Sequence, residues 1–207
     1  MEKLPDVTTA SETNDVEVGL QPQETPENTA PIRQWFVAFV GHNTEKNCRD
    51  RLKKLGYDAF VASREEVHRW QNGKRKKVER VVITNIVFVH CTEQERRFLV
   101  NFPFIKYYLV NRAGKPNEFG GRPLAVIPDK QMDKLRFMLG KSESPVLYAA
   151  SDFSLGDHVR LTGWGLEGFE GQVVRIPGGK GRYVGIRIDY LGCAYMEVDP
   201  DCLEIIK

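Results

Sequence analysis

The sequence predicts an α+β chain in which a sandwich of helices and strands is followed by a small SH3-like β-barrel. Two observations predict it. Between residues 33 and 140, extended apolar runs alternate with segments of helical spacing in the order β-α-β-β-α-β-β-α. After residue 152 only short strand-like runs occur, separated by glycine-rich turns. The size agrees: 207 residues with 41% hydrophobic content can bury one ordinary core or two small ones.

Each element has a local reason. Residues 1–32 are rich in Thr, Glu, Pro, Asn and Gln and lack aromatic residues, so a disordered acidic tail is expected. Order starts at "RQWFVAFV", a strand from Gln34 to Val40. Asn43 or Thr44 can cap a helix with Cys48, Leu52 and Leu55 on one face, and Gly56 ends it. "YDAFVAS" reads as a strand and "VERVVITNIVFVHC" as a long central one, with an Asn72-Gly73 turn between them, so a protruding hairpin arm is expected. Thr92 with Glu95 forms a capping box that opens a second helix. "IKYYLV" returns as a strand, and the glycine-rich "GKPNEFGG" follows. "PLAVIPDKQMDKLRFML" then reads as a strand, Pro128 at the first helical position, and a third helix with Met132, Leu135 and Leu139 inward. The polar window 141–152 reads as a linker, and residues 153–207 hold five short strands: "DHVRLT", "EGQVVRI", "RYVGIRID", "CAYMEVD" and "CLEII".

Charge is distributed unevenly. Residues 1–32 hold one lysine against seven carboxylates, a net −6, and residues 153–207 hold six basic and eight acidic side chains, a net −2. Since the whole chain is +2, residues 33–152 carry +10. That excess fits a polyanionic neighbour, whether DNA, RNA or an acidic protein. Cys48, Cys91, Cys193 and Cys202 are far apart and form no CxxC pair, and His42, His68, His90 and His158 are scattered. Buried reduced thiols are expected, with no metal and no cofactor. No apolar run approaches the roughly 20 residues of a membrane span, and nothing reads as a secretory signal. A cytoplasmic monomer is the expectation. No nucleophile elbow, P-loop or acid/base constellation stands out, and Asp157 and His158, adjacent on a strand, point to opposite faces, so no enzyme is expected.

The stretch "FSLGDHVRLTGWGLEGFEGQVVRI" places five glycines between apolar runs. A curled strand pair needs residues without Cβ, or with φ > 0, where it bends, and Gly163, Gly165, Gly168 and Gly171 occupy such places. On shape alone any small SH3-like barrel satisfies this. The residues resemble something narrower: "GDHVRLTGWGLEGFEGQVVRI" and "GCAYMEVDPDCLEII" are similar to the KOW domain of the NusG family. "WFVAFV" with Glu45 downstream resembles the first strand and helix of that family's N-terminal domain. "KRKKVERVVITNIVFV" resembles its RK-x-ER stretch. The resemblance covers about 170 residues, in the family's order, and implies an N-terminal-type domain over 33–140 and a KOW barrel over 153–207. One departure stands out. The family's Phe-Pro-Gly-Tyr is here Ile83, Thr84, Asn85 and Ile86, which points to a specialised paralogue of the RfaH and UpxY type.

The resemblance implies surfaces rather than catalysis. In the family an apolar patch on the N-terminal domain docks on the clamp helices of RNA polymerase, and by position it maps to Trp35, Ile83 and Ile86. Ordinary core is the competing reading for each of these. Lys74, Arg75, Lys76 and Lys77 lie on the expected arm, where they form either a solvated face or a contact for nucleic-acid phosphates. His42, Asn43 and Arg49, at the start of the first helix, match positions where specialised paralogues read non-template DNA, with nascent RNA the other nucleic acid in reach. Phe169 matches the family's loop Phe, placed at the barrel rim, where it contacts a ribosomal protein or the termination factor Rho. An operon-specific elongation or antitermination factor follows. The alternative is a ribosome-associated or RNA-binding KOW protein, which the −2 barrel disfavours because such barrels are usually basic.

Overall fold

The computed structural model describes residues 31–206 other than 71, 72, 152 and 164. The expected acidic tail and the Asn72 half of the arm turn therefore lie outside the described residues, apart from Pro31 and Ile32. In chain order the elements are β1 (Gln34–Phe39), α1 (Glu45–Lys54), β2 (Asp58–Phe60), β3 (Ser63–Arg69), β4 (Arg75–Val81) and β5 (Ile86–Cys91). These are followed by α2 (Glu93–Leu99), β6 (Tyr107–Tyr108), β7 (Val126–Ile127) and α3 (Asp129–Lys141). The last part holds β8 (Val146–Ala149), β9 (Ser154–Leu161), β10 (Glu170–Arg175), β11 (Tyr183–Ile188), β12 (Gly192–Glu197), a 3-10 turn (Pro200–Cys202) and β13 (Leu203–Ile205).

The first sheet runs β2-β5-β1-β6, with β7 also pairing β1. β1 is central because Trp35, Phe36, Val37 and Ala38 are apolar in succession and buried on both faces. Its register with β5 sets Val37 opposite Phe88 and Phe36 opposite Val89. Phe36, Ala38, Val87 and Val89 face Cys48 and Leu52 of α1 and Leu99 of α2 in one core. Trp35, Val37, Ile86 and Phe88 face the other way, onto Met132, Leu135, Met138 and Leu139 of α3. Thr92 closes the expected capping box, its backbone N–H donating to Glu95 Oε2 at 2.8 Å and its Oγ1 accepting from Glu95 N at 3.2 Å. Gly56, at φ +86, turns the chain after α1.

Some local expectations are corrected. Thr44 is the N-cap of α1, but its hydroxyl donates back to Gly41 O instead of capping the helix. Leu55 lies past the helix and is exposed. Pro128 is the N-cap of α3 rather than its first helical residue. The expected long central strand is broken at residues 82–85, so Ile83 sits in a turn and β4 belongs to a separate two-stranded arm with β3.

The second sheet is antiparallel, in the order β13-β9-β10-β11-β12-β8, and its five expected strands are all present. The sixth, β8, lies inside the window expected as a linker. Val146 pairs with Met196 of β12, and Ser142 and Ser144 are buried, so this window is built into the barrel sheet. The barrel residues Val159, Leu161, Val184 and Met196 share one continuous apolar core with α3 and the outer face of the first sheet. From Pro31 onward the chain is one compact unit.

Glycine's part in the opening stretch is divided between two physical causes. Gly168 has φ +79, the left-handed region that disfavours a Cβ. Gly171 does not, contrary to the expected bend. Within β10 a Cβ there would stand 2.8 Å from Gly185 O and 2.8 Å from Val184 Cγ1, so close strand approach is what excludes a side chain.

Candidate functional site

Three surfaces matter, and the first is the face holding Trp35, Ile83 and Ile86. The structure brings these residues together but does not leave them exposed: their relative accessibilities are 4%, 1% and 5%. α3 and the barrel fill the face that would otherwise be bare. The Trp35 ring stacks on His90 at 4.8 Å, and the Arg136 guanidinium lies 4.4 Å from the Trp35 ring centre. Arg136 is held by Asp58 at 3.4 Å. A cation over an indole face adds about 0.5–1 kcal/mol where water has access.

Ile83 and Ile86 are held by the turn between β4 and β5. Asn85 takes φ +64, which Asn tolerates better than most residues, so the turn survives without the glycine of the family's pattern. Its backbone N–H donates to Glu45 Oε1 at 2.7 Å, and its carbonyl accepts from Val40 N at 2.9 Å. Beside the turn lies a cleft of about 530 Å³ whose lining includes Phe39, Ile83, Ile86, Tyr107, Tyr148 and Tyr190. Tyr148 and Tyr190 come from the barrel side, and the Tyr148 hydroxyl donates to Leu191 O at 2.8 Å.

The second surface is the arm. Its register opposes Arg69 to Arg75 and Val67 to Lys77. Lys74, Arg75, Lys76 and Lys77 are exposed as expected, although Lys77 reaches Glu65 at 3.5 Å. Two arginines directly opposite on one face repel each other, a cost that an anion relieves. His42 and Asn43 are exposed in the turn between β1 and α1, where Asn43 adopts φ +59. Arg49 differs from the expectation. Its guanidinium is engaged with Glu79 at 2.5 Å and Asp50 at 2.9 Å, tying α1 to the root of the arm and leaving it no free edge for a base. Burial opposes charge on Glu79, but hydrogen bonds from Arg49 and Ser63 outweigh it and hold the carboxyl below the usual range.

The third surface surrounds Phe169. Expected at the rim, it is only 5% exposed because its ring stacks on Phe137 of α3, centroids 6.1 Å apart and 7° from parallel. Lys134 Nζ donates to Glu170 O at 2.8 Å beside this stack. The α3 partners Arg136 and Phe137 were missed in sequence reasoning, because only the tertiary fold places them. Burial pushes the thiols of Cys48, Cys91 and Cys193 up to about 12, as inert structural thiols. Among the described residues no group of three or more His, Cys, Asp or Glu side chains could hold a metal ion. No helix among them is long and apolar enough to cross a membrane.

The NusG family, described as transcription termination factor NusG, matches residues 33–136, half of the chain. No curated protein sequence matches. Among solved structures, NusG of Thermotoga maritima, in a structure of its domain interaction, is 17% identical, covers 85% of this chain and 98% of its own, and superposes with a TM-score of 0.46. A chain of the MjSpt4:Spt5 complex in conformation A is 14% identical over 84% of this chain and 98% of its own, with a TM-score of 0.26.

Proposed function

Because the chain belongs to the NusG family of transcription factors, we propose that it acts as a transcription elongation or antitermination factor on RNA polymerase. In this reading the sheet face of Trp35, Ile83 and Ile86 docks on the polymerase clamp helices, and Phe169 of the KOW barrel recruits a further protein. The observation that carries the reading is the family match over residues 33–136; because Trp35, Ile83, Ile86 and Phe169 lie in one apolar core with α3 and the barrel, docking through them requires that packing to open. Polymerase therefore competes with the barrel for the same face, and binding by one exposes the partner surface of the other. The exposed arm cations Lys74, Arg75 and Lys76, with His42 and Asn43, lie toward nucleic acid in the complex.

The narrower form of the proposal is an operon-specific factor. It rests on the replacement of Phe-Pro-Gly-Tyr by Ile83, Thr84, Asn85 and Ile86. Asn85 preserves the turn, so what changes is the chemistry presented by its flanks: two aromatic side chains become two isoleucines. Cytoplasmic action as a monomer completes the reading. Copurification of the full chain with RNA polymerase, followed by in vitro elongation through a terminator, tests it. Retention of the wild type and its loss with Ile86→Asp, both proteins showing native circular dichroism, is the expected result. Retention of both proteins would place the docking face elsewhere, and ribosome association without polymerase would favour the alternative KOW reading.

A further inference from the structure

Phe119 is 91% exposed, the most exposed large apolar side chain among the described residues. Its loop is hydrogen-bonded rather than loose. Asn117 Oδ1 accepts from Phe119 N at 3.1 Å and from Gly121 N at 2.7 Å, while Asn117 N donates to Gly121 O at 2.8 Å. At the base of the loop Asn111 N donates to Pro123 O at 2.8 Å, and Asn111 Oδ1 accepts from Ala113 N at 3.0 Å and Gly114 N at 3.1 Å. The loop thus holds an aromatic ring in water with no packing role that explains it.

The residues on either side of Phe119 in its loop, Asn117 and Gly121, line a groove of about 670 Å³ together with Arg96, Arg97, Lys115 and Arg122. One carboxylate, Glu93, also lines it. Glu93 is shared by Arg96 at 2.9 Å and Arg97 at 3.0 Å. Lys115 and Arg122 have no carboxylate partner among the described residues, and Arg122 donates to the Arg112 carbonyl. Glu118 is the one acidic side chain within the loop itself. Four cations against two carboxylates, Glu93 in the groove and Glu118 in the loop, leave a positive field suited to a polyanion, and an exposed ring on the same loop suits a base with a free face. In a duplex the bases are stacked on one another, so a single strand is the form that both features accept.

We propose that the loop 111–123 and the last turn of α2 form a binding site for single-stranded nucleic acid, with Phe119 stacking on an unpaired base and Lys115, Arg122 and Arg97 holding the flanking phosphates. The site is separate from the arm. Gln34 and Phe36 of β1 line this groove, whereas His42 and Asn43 follow the opposite end of that strand, about 20 Å away at strand rise. It deepens the transcription-factor reading, on which it rests for a strand within reach of the bound factor.

Fluorescence anisotropy tests it with the full chain, no polymerase, and a labelled oligothymidine about 12 nucleotides long. Phe119→Ala should weaken binding about fivefold or more while leaving circular dichroism unchanged. Lys115→Ser with Arg122→Ser should flatten the salt dependence by about 0.7 per lost contact. A duplex of the same length should not discriminate Phe119→Ala from wild type. Wild-type affinity in Phe119→Ala, displacement of the oligonucleotide by polyglutamate with no effect of Phe119→Ala, or loss confined to an arm variant (Lys74, Arg75 and Lys76 to Ser) would each overturn the site. None of these outcomes touches polymerase copurification, so failure here is distinguishable from failure of the proposed function.

Discussion

Glu45, the first residue of α1, and Asn85, forty positions later in the β4–β5 turn, are joined by a 2.7 Å hydrogen bond from the Asn85 N–H to Glu45 Oε1. Glu45 is 3% exposed. The bond fixes the turn from which Ile83 and Ile86 project, so a helix residue on one side of the sheet sets the geometry of the apolar face on the other.

Removing that acceptor should therefore be costly. Glu45→Ala leaves the part-buried Asn85 N–H unpaired and should lower stability by about 1 kcal/mol or more in urea unfolding, whereas Glu45→Gln keeps an acceptor oxygen and should recover most of it. Asn85→Gly should be tolerated and Asn85→Val should not, because a β-branched residue resists φ > 0. A change under about 0.5 kcal/mol for Glu45→Ala would show that water replaces the bond.

Phe169 and Phe137 should be energetically coupled. A double-mutant cycle of Phe169→Ala and Phe137→Ala should return about 0.5–1.5 kcal/mol of interaction energy, the range for a packed aromatic pair. A rim side chain that waits for a partner without touching α3 would give a coupling near zero.

Gly171→Ala should destabilise the barrel even though φ at this position is ordinary. The added Cβ meets a backbone oxygen and a valine methyl at 2.8 Å, and neither can swing away freely. Gly168→Ala, with open space but φ +79, should cost about 1 kcal/mol through strain alone. Equal and small effects at both positions, read from thermal unfolding, would refute the steric account of Gly171.

The Glu79 carboxyl sets an acid limit. Its folded pKa is depressed by Arg49 and Ser63, so its contribution is present at and above the ordinary glutamate value and is lost as pH falls through the lower, folded value. Unfolding free energy measured from neutral pH downward should fall in that acid window, and Glu79→Gln should flatten this part of the profile. An unchanged profile in the variant would assign the acid loss to other groups, among them Glu93, which Arg96 holds in the same direction.

The parts of the fold that were legible in the sequence were those decided by neighbours along the chain. The Thr92–Glu95 capping box spans three residues, and the inward Met132, Leu135 and Leu139 share one helix face, so periodicity and capping suffice. β8 was not legible, since Val146 earns strand status only by pairing with Met196, fifty positions on. Separation in sequence also hid the covering of Trp35 by Arg136 and of Phe169 by Phe137. Sequence reasoning named the residues of the apolar face, but it could not tell that a helix and a barrel from the same chain already occupy it. Arg49 was misplaced for a related reason: a basic residue near a helix start looks free until its carboxylate partner is folded beside it.

The central claim is that polymerase and the barrel compete for the face built on Trp35, Ile83 and Ile86. The most direct measurement is the Kd of the full chain for purified RNA polymerase, compared among wild type, Phe137→Asp and Phe137→Asp combined with Ile86→Asp. Phe137 is 41% exposed, so a charge there stays in water and mainly removes the stack with Phe169, which loosens the closed packing by about 0.5–1.5 kcal/mol. The account predicts tighter binding for Phe137→Asp than for wild type, and loss of that gain when Ile86→Asp is added. Equal affinity for all three proteins would contradict it.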